Sequence, residues 1–196
     1  MLILQLAILV YSIILHEISH GWVADKLGDP TARLSGRLTL NPIPHIDPIM
    51  TILLPFFLTL TGSPVIFGSA KPVPIDSFNF REPKKDTALT AAAGPITNLL
   101  IALFFALIFK IYPMDLFYYA VQINVFLAIF NLLPVPPLDG SKVLAGVLPN
   151  EFAGLFLSLE RYGFIIIFAI LFFFPGIINN TVVPISQTII HLLLSV

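Results

Sequence analysis

Long apolar runs, broken by short polar stretches, dominate the chain. A run of roughly 20 apolar residues can cross a bilayer as a helix. Residues 2–24, 87–109 and 116–138 each meet that length. Residues 152–174 form a fourth run, interrupted by Glu160 and Arg161, and 182–196 a weaker last one. Residues 141–151 read as a short surface helix. Residues 49–61, "IMTILLPFFLTLT", are apolar but short, with Pro55 in their middle. Thirteen helical residues cover about 20 Å, against about 30 Å of hydrocarbon. Proline also interrupts a helix interior. Irregular backbone at membrane depth is tolerated where protein or water satisfies it, so 49–70 is expected to enter and return; the alternative, a plain transmembrane helix, would put the 63–86 loop on the other side. "ARLSGRLTL" (32–40) alternates as a short hairpin strand would. "NPIPHIDP" (41–48) reads as a proline-rich turn, and the 63–86 stretch as an extended loop.

Composition supports a membrane class. The chain is 57% hydrophobic and 11% charged, where soluble domains carry about 25% charged residues. A net charge of −1 gives no surface for nucleic acid. Without cysteine there are no disulfides, thiolate clusters or thiol catalysis. No basic residue precedes the first run and no small-residue cleavage site follows it, so it is expected to be retained.

Basic residues orient the spans. Lys26, Arg33, Arg37, Lys71, Arg81, Lys84 and Lys85 lie between the first and second full spans, and only Lys110 lies in the next connection. The excess of lysine and arginine marks the cytoplasmic side. His16 and His20 then lie near the inner end of the first span, and Asp139 arrives at the same face after the third.

"ILHEISHGW" (14–22) sets ionisable groups inside an apolar helix. Four residues turn about 400° on a helix, so His16 and His20 share one face, one turn apart. Two such imidazoles can hold one metal ion, while Glu17, about 100° round, can reach a water beside it. Zinc accepts histidine nitrogen and carboxylate oxygen, and a catalytic site needs a third protein ligand. Asp139 in "NLLPVPPLDGSK" is the best candidate, because an uncompensated carboxylate at a membrane edge is costly. Taken alone it would read as a turn aspartate before glycine.

Four stretches, "HEISHG" (16–21), "FGSAKPVP" (67–74), "AAAGPITN" (91–98) and "FNLLPVPPLDG" (130–140), resemble the site-2 proteases, the intramembrane zinc metalloproteases of peptidase family M50. The resemblance covers most of residues 5–145. It implies zinc on His16, His20 and Asp139, with Glu17 as general base. It also implies an all-α polytopic fold with a three-helix catalytic core, a re-entrant segment and a short β-hairpin or extended loop. One or two C-terminal helices would follow. The whole would be one membrane domain, 1–196, with a core of about 1–150 and C-terminal helices over about 152–196. On this length no PDZ or CBS domain is expected. Expected partners are the lipid bilayer and a transmembrane protein substrate, such as an anti-sigma factor or membrane-tethered transcription factor. The expected location is a prokaryotic cell membrane, with the site toward the cytoplasm.

Further residues carry alternatives. Asn131 matches the family's N-x-x-P spacing before Asp139 and is assigned to the oxyanion; its other use is an interhelical hydrogen bond. Asn98 is a candidate substrate contact or another such bond. Lys71, Pro72 and Val73 can offer extended backbone to substrate, or form a stiff interfacial turn. Gly94-Pro95 reads as close packing and a kink, Gln122 and Asn124 as structural, His45 as a loop histidine and His191 as interfacial. A membrane metal transporter or non-proteolytic zinc scaffold would use the same histidines and aspartate, without needing Glu17.

Overall fold

The computed structural model describes residues 1–62 and 68–195. The start of the extended loop, 63–67, including Phe67 of the second motif, lies outside the described residues. In order, the α-helices are α1 (Leu2–Leu27), α2 (Thr31–Leu34), α3 (Leu54–Leu60), α4 (Pro83–Ile111), α5 (Asp115–Asn131), α6 (Asp139–Val147), α7 (Asn150–Ser158), α8 (Gly163–Phe173), α9 (Pro175–Ile177) and α10 (Val183–Ser195). Among the described residues, four helical stretches are long and apolar enough to cross a membrane: Leu2–Leu27, Pro83–Ile111, Asn150–Phe173 and Pro175–Ser195.

α1 stops at Gly28, whose φ of 114° suits a residue without Cβ. Asp29 then gathers the chain. It accepts from the Thr31 hydroxyl, the Thr31 N–H at 3.1 Å, the Asp76 N–H at 2.8 Å and the Asn79 amide at 2.9 Å. The end of α1 is thereby tied to the segment leading into α4. Burial pushes the Asp29 carboxyl up, but these donors outweigh it and hold it below the usual carboxylate range. A depressed value means that ionised Asp29 stabilises the fold above the unfolded pKa, about 3.9. That contribution is lost as pH falls through the native value. Asp29→Asn is expected to lower stability near pH 7 by about 1–3 kcal/mol. The gap from wild type should close on acidification below about pH 4, as thermal melts in detergent across pH would show.

The described residues contain no strand, so the expected hairpin is replaced by α2 and a bend. The apparent alternation does not sort faces: Leu34 and Leu40 are exposed while Arg37 is buried. Gly36, at φ 64°, turns the chain. Arg37 then spends its guanidinium on the Lys71 carbonyl at 2.7 Å.

The stretch before α3 begins as a π-helical turn, Pro48–Leu53, capped by Asp47, which accepts from Ile49 N and Met50 N at 2.9 and 2.8 Å. By Ser69 the chain lies back beside that turn: Ser69 N donates to Met50 O at 3.2 Å and Thr51 Oγ1 to Ser69 O at 2.7 Å. Ser69 therefore lies beside the start of the Pro48–Leu60 stretch.

α4 is central and packs against α1, α5, α6 and α10. Its contact faces are small residues, Ala91, Ala93, Gly94, Ala102 and Ala106, all buried. Such residues let membrane helices approach closely. α5 is shorter than its expected span: it ends at Asn131, because prolines at 134, 136 and 137 cannot continue a helix. Residues 132–138 instead form an irregular turn. Leu133 and Leu138 bury it against Ile167 of α8 and Val182. The outward side chains of α1 and α4, such as Ile3, Leu6, Leu100 and Phe104, are exposed apolar groups that only a bilayer would cover.

Candidate metal centre

α1 and α4 run antiparallel, and α5 runs back beside α1. The second half of α1 therefore faces the first half of α4, and the chain leaving α5 arrives at the same level. Asp139 begins α6 at that point. Gly140 allows the approach, since any Cβ there would overlap the backbone of Leu132 and Leu133.

His16, His20 and Asp139 meet. The two imidazole Nε2 atoms are 3.1 Å apart, and Asp139 Oδ2 lies 3.1 Å from His16 Nε2 and 3.3 Å from His20 Nε2. Ligands at zinc bond lengths in a tetrahedron stand about 3.3 Å apart, so the three atoms sit at ligand spacing. The other ring nitrogens are engaged: His16 Nδ1 with Asn98 Oδ1 at 2.6 Å, and His20 Nδ1 with the Thr90 carbonyl at 2.7 Å. Both acceptors require N–H at Nδ1, so a ring carrying a single proton turns its Nε2 lone pair toward the other two groups. Asp139 Oδ2 is buried and has no hydrogen-bond partner. Two lone pairs and a carboxylate oxygen facing one another repel unless a cation lies among them.

Gly94 provides the space. A Cβ built there would fall 2.5 Å from both Nε2 atoms. The residues present thus fit a metal ion on three separate grounds: donor chemistry, spacing and an open cradle. Among the described residues this is the one cluster of histidine and carboxylate groups able to hold an ion.

The model of peptidase family M50 matches residues 110–175. YwhC of Bacillus subtilis is 38% identical over 181 residues, 85% of this chain and 78% of that protein. The chain belongs to peptidase family M50. Rip2 of Mycolicibacterium smegmatis is 27% identical over 176 residues, covering 86% of the chain and 66% of its own length. MJ0611 of Methanocaldococcus jannaschii is 32% identical over 122 residues, covering 59% and 60%. All three carry the name "Putative zinc metalloprotease". No solved structure shows a significant match. Family membership and four long apolar helices make this a multi-pass membrane protein of the site-2 protease family.

The other residues singled out in the M50 motifs fall into two groups. Glu17 is half-buried, and its Oε2 accepts the Val73 N–H at 2.9 Å. Gly21 makes that contact possible, since a Cβ there would press on Val73 Cγ1 at 2.9 Å. Asn131 is half-buried and donates from Nδ2 to Leu127 O at 2.9 Å, within its own helix. An amide carries a second N–H, so one donor is left. Lys71 and Pro72 are exposed. The Lys71 backbone is clamped, its N–H on the His45 carbonyl at 2.9 Å and its carbonyl on Arg37.

Asn98 is fully buried and both ends of its amide are hydrogen-bonded, Oδ1 with His16 and Nδ2 with Asn124. The Val73 side chain is buried against Gly21 of α1, while its backbone N–H is taken by Glu17. Sequence reasoning missed Arg37. A basic residue in a loop gives no sign that it will be buried as a backbone clamp. His45 is likewise buried, with Nε2 donating to Thr39 O at 2.9 Å.

Proposed function

We propose that this chain is an intramembrane zinc metalloprotease that hydrolyses a peptide bond within or near the transmembrane segment of a membrane-protein substrate. One observation carries the reading: the convergence of His16 Nε2, His20 Nε2 and Asp139 Oδ2 around the space left by Gly94, with a carboxylate beside them on α1. His16, His20 and Asp139 would hold the ion.

Zinc at such a centre supplies a Lewis acid that polarises a peptide carbonyl and eases loss of a proton from water near neutral pH. Glu17 accepts the proton of the attacking water and returns it to the leaving amine. Its tether to Val73 fixes one carboxylate oxygen and leaves the other for that exchange. The remaining N–H of Asn131 steadies the oxyanion. A substrate helix hides its peptide bonds in its own hydrogen bonds, so it must unwind. The extended backbone at Lys71 and Pro72, held open by Arg37 and His45, is a surface against which it can lie.

The basic residues at the α1–α4 end support a cytoplasmic position for the site, and the bacterial and archaeal relatives support a prokaryotic cell membrane. Anti-sigma factors and membrane-tethered transcription factors fit the substrate class. One metalloprotease domain would span the chain, with its catalytic core over about 1–150.

The test is cleavage of a helical transmembrane substrate by purified protein, with and without a zinc chelator. Cleavage should stop with the chelator and return with added zinc. Chelator-resistant cleavage, or metal flux into liposomes without any cleavage, would overturn the reading.

A further inference from the structure

We propose that Ser12 and Asn124 are positioning residues of the metal centre, acting on His16 through Asn98. The proposal rests on the metal reading of His16 and extends it to two residues that no motif includes.

Ser12, Asn98 and Asn124 lie on α1, α4 and α5 and are all buried, at 3%, 0% and 0% exposure. Their hydrogen bonds have a direction that can be deduced from one end. Asn124 meets the Ala120 carbonyl at 2.9 Å. A carbonyl only accepts, so this end of the Asn124 amide is nitrogen. The same nitrogen donates to Ser12 Oγ at 2.9 Å. Asn124 Oδ1 is therefore turned toward Asn98, where it can only accept. Asn98 answers with Nδ2 at 2.9 Å, which also reaches the Ser12 carbonyl at 3.4 Å. Its remaining atom, Oδ1, faces His16 Nδ1 at 2.6 Å. His16 must then carry its proton on Nδ1, with the Nε2 lone pair directed at Asp139 and His20. Each orientation forces the next, from a backbone carbonyl of α5 to a ring on α1.

Interhelical glue would need only one amide pair. Here the polarity runs on to an imidazole and selects its tautomer. His20 needs no such relay, because the Thr90 carbonyl sets it directly. The two histidines are thus supported differently, and only His16 depends on α5.

The experiment uses the full chain in detergent. Zinc affinity is measured by competition with a chelating dye, and ligand geometry by the visible absorption of the cobalt(II)-loaded protein. Asn124→Leu, with the same branching but bulkier and unable to orient Asn98, should weaken zinc binding about 10–100-fold and change the cobalt bands. Val125→Ala controls for packing. Val125 is the next residue and equally buried, but it sits in the apolar cluster with Ala102 and Ala106, outside the relay. Its variant should melt earlier with unchanged affinity and bands. Ser12→Ala removes one hydroxyl and almost no volume, so it tests the relay even if Asn124→Leu does not fold; a loss of about 2–10-fold is expected. Wild-type affinity in both relay variants, or an equal loss in Val125→Ala, overturns the proposal alone. Wild type that binds no zinc overturns the metal reading and the relay with it.

Discussion

Glu17→Gln retains its zinc and cleaves about 10²–10⁴-fold more slowly than wild type, the range that a general base contributes. The substitution isolates proton transfer because everything else about the residue is kept. Glutamine has the same length, and its carbonyl oxygen can still accept the Val73 N–H now bound to Glu17 Oε2. The loop that Gly21 lets approach α1 therefore stays docked. The metal ligands His16, His20 and Asp139 are untouched. What is lost is the ability to take a proton from water and pass it to the departing amine. Metal content by elemental analysis and cleavage of a transmembrane substrate, on the same preparations, check the two halves. Cleavage at the wild-type rate would remove Glu17 from the mechanism. Loss of zinc would recast it as part of the binding site. A transporter or scaffold predicts no cleavage by either protein and the same zinc content in both.

The pattern of chemistry was readable where a short-range rule applied. The spacing of His16 and His20 is a helix rule, and any helix through them puts both rings on one face. Asp139 was reached by cost: a carboxylate at that depth needs a partner, and chain topology returned it to the histidines. Other features were hidden because they depend on what faces what. Asn98 stands in a recognisable motif, but whether its amide meets substrate or His16 is decided by the rotation of α4 against α1. Asn124 looked like a structural amide, since its link to the metal centre passes through a residue on another helix. Periodicity misled at 32–40, where Arg37, on the polar phase of the alternation, is buried while Leu34 and Leu40, on the apolar phase, are exposed. The third apolar run was read through to 138, although its prolines already set a boundary near Asn131. Burial of the 132–138 turn, which keeps the run apolar past the helix end, explains the overshoot.

Gly94 is where a residue read as a packing device turns out to define the site, and its alanine variant carries the second large expectation. Gly94→Ala should fold and hold no stoichiometric zinc, with cleavage lost as a consequence. On helix propensity alone alanine is better than glycine by about 1 kcal/mol, so α4 gains intrinsic stability. The new methyl, however, would stand 2.5 Å from His16 Nε2, His20 Nε2 and His16 Cε1. An ion bound by both rings must lie about 2.0–2.1 Å from each nitrogen, in the space that the methyl fills. The rings can yield only by abandoning Asn98 and the Thr90 carbonyl, which hold them at 2.6 and 2.7 Å. Either response, displaced rings or an occupied cradle, removes the ion. Gly154→Ala is the matched control, because a Cβ there has open space around it; it should bind zinc like wild type. Elemental analysis gives the metal, and a melt of the metal-free proteins shows whether the fold survives. Stoichiometric zinc in Gly94→Ala would mean that the ion does not lie between the two Nε2 atoms, and the arrangement of His16, His20 and Asp139 would need another explanation.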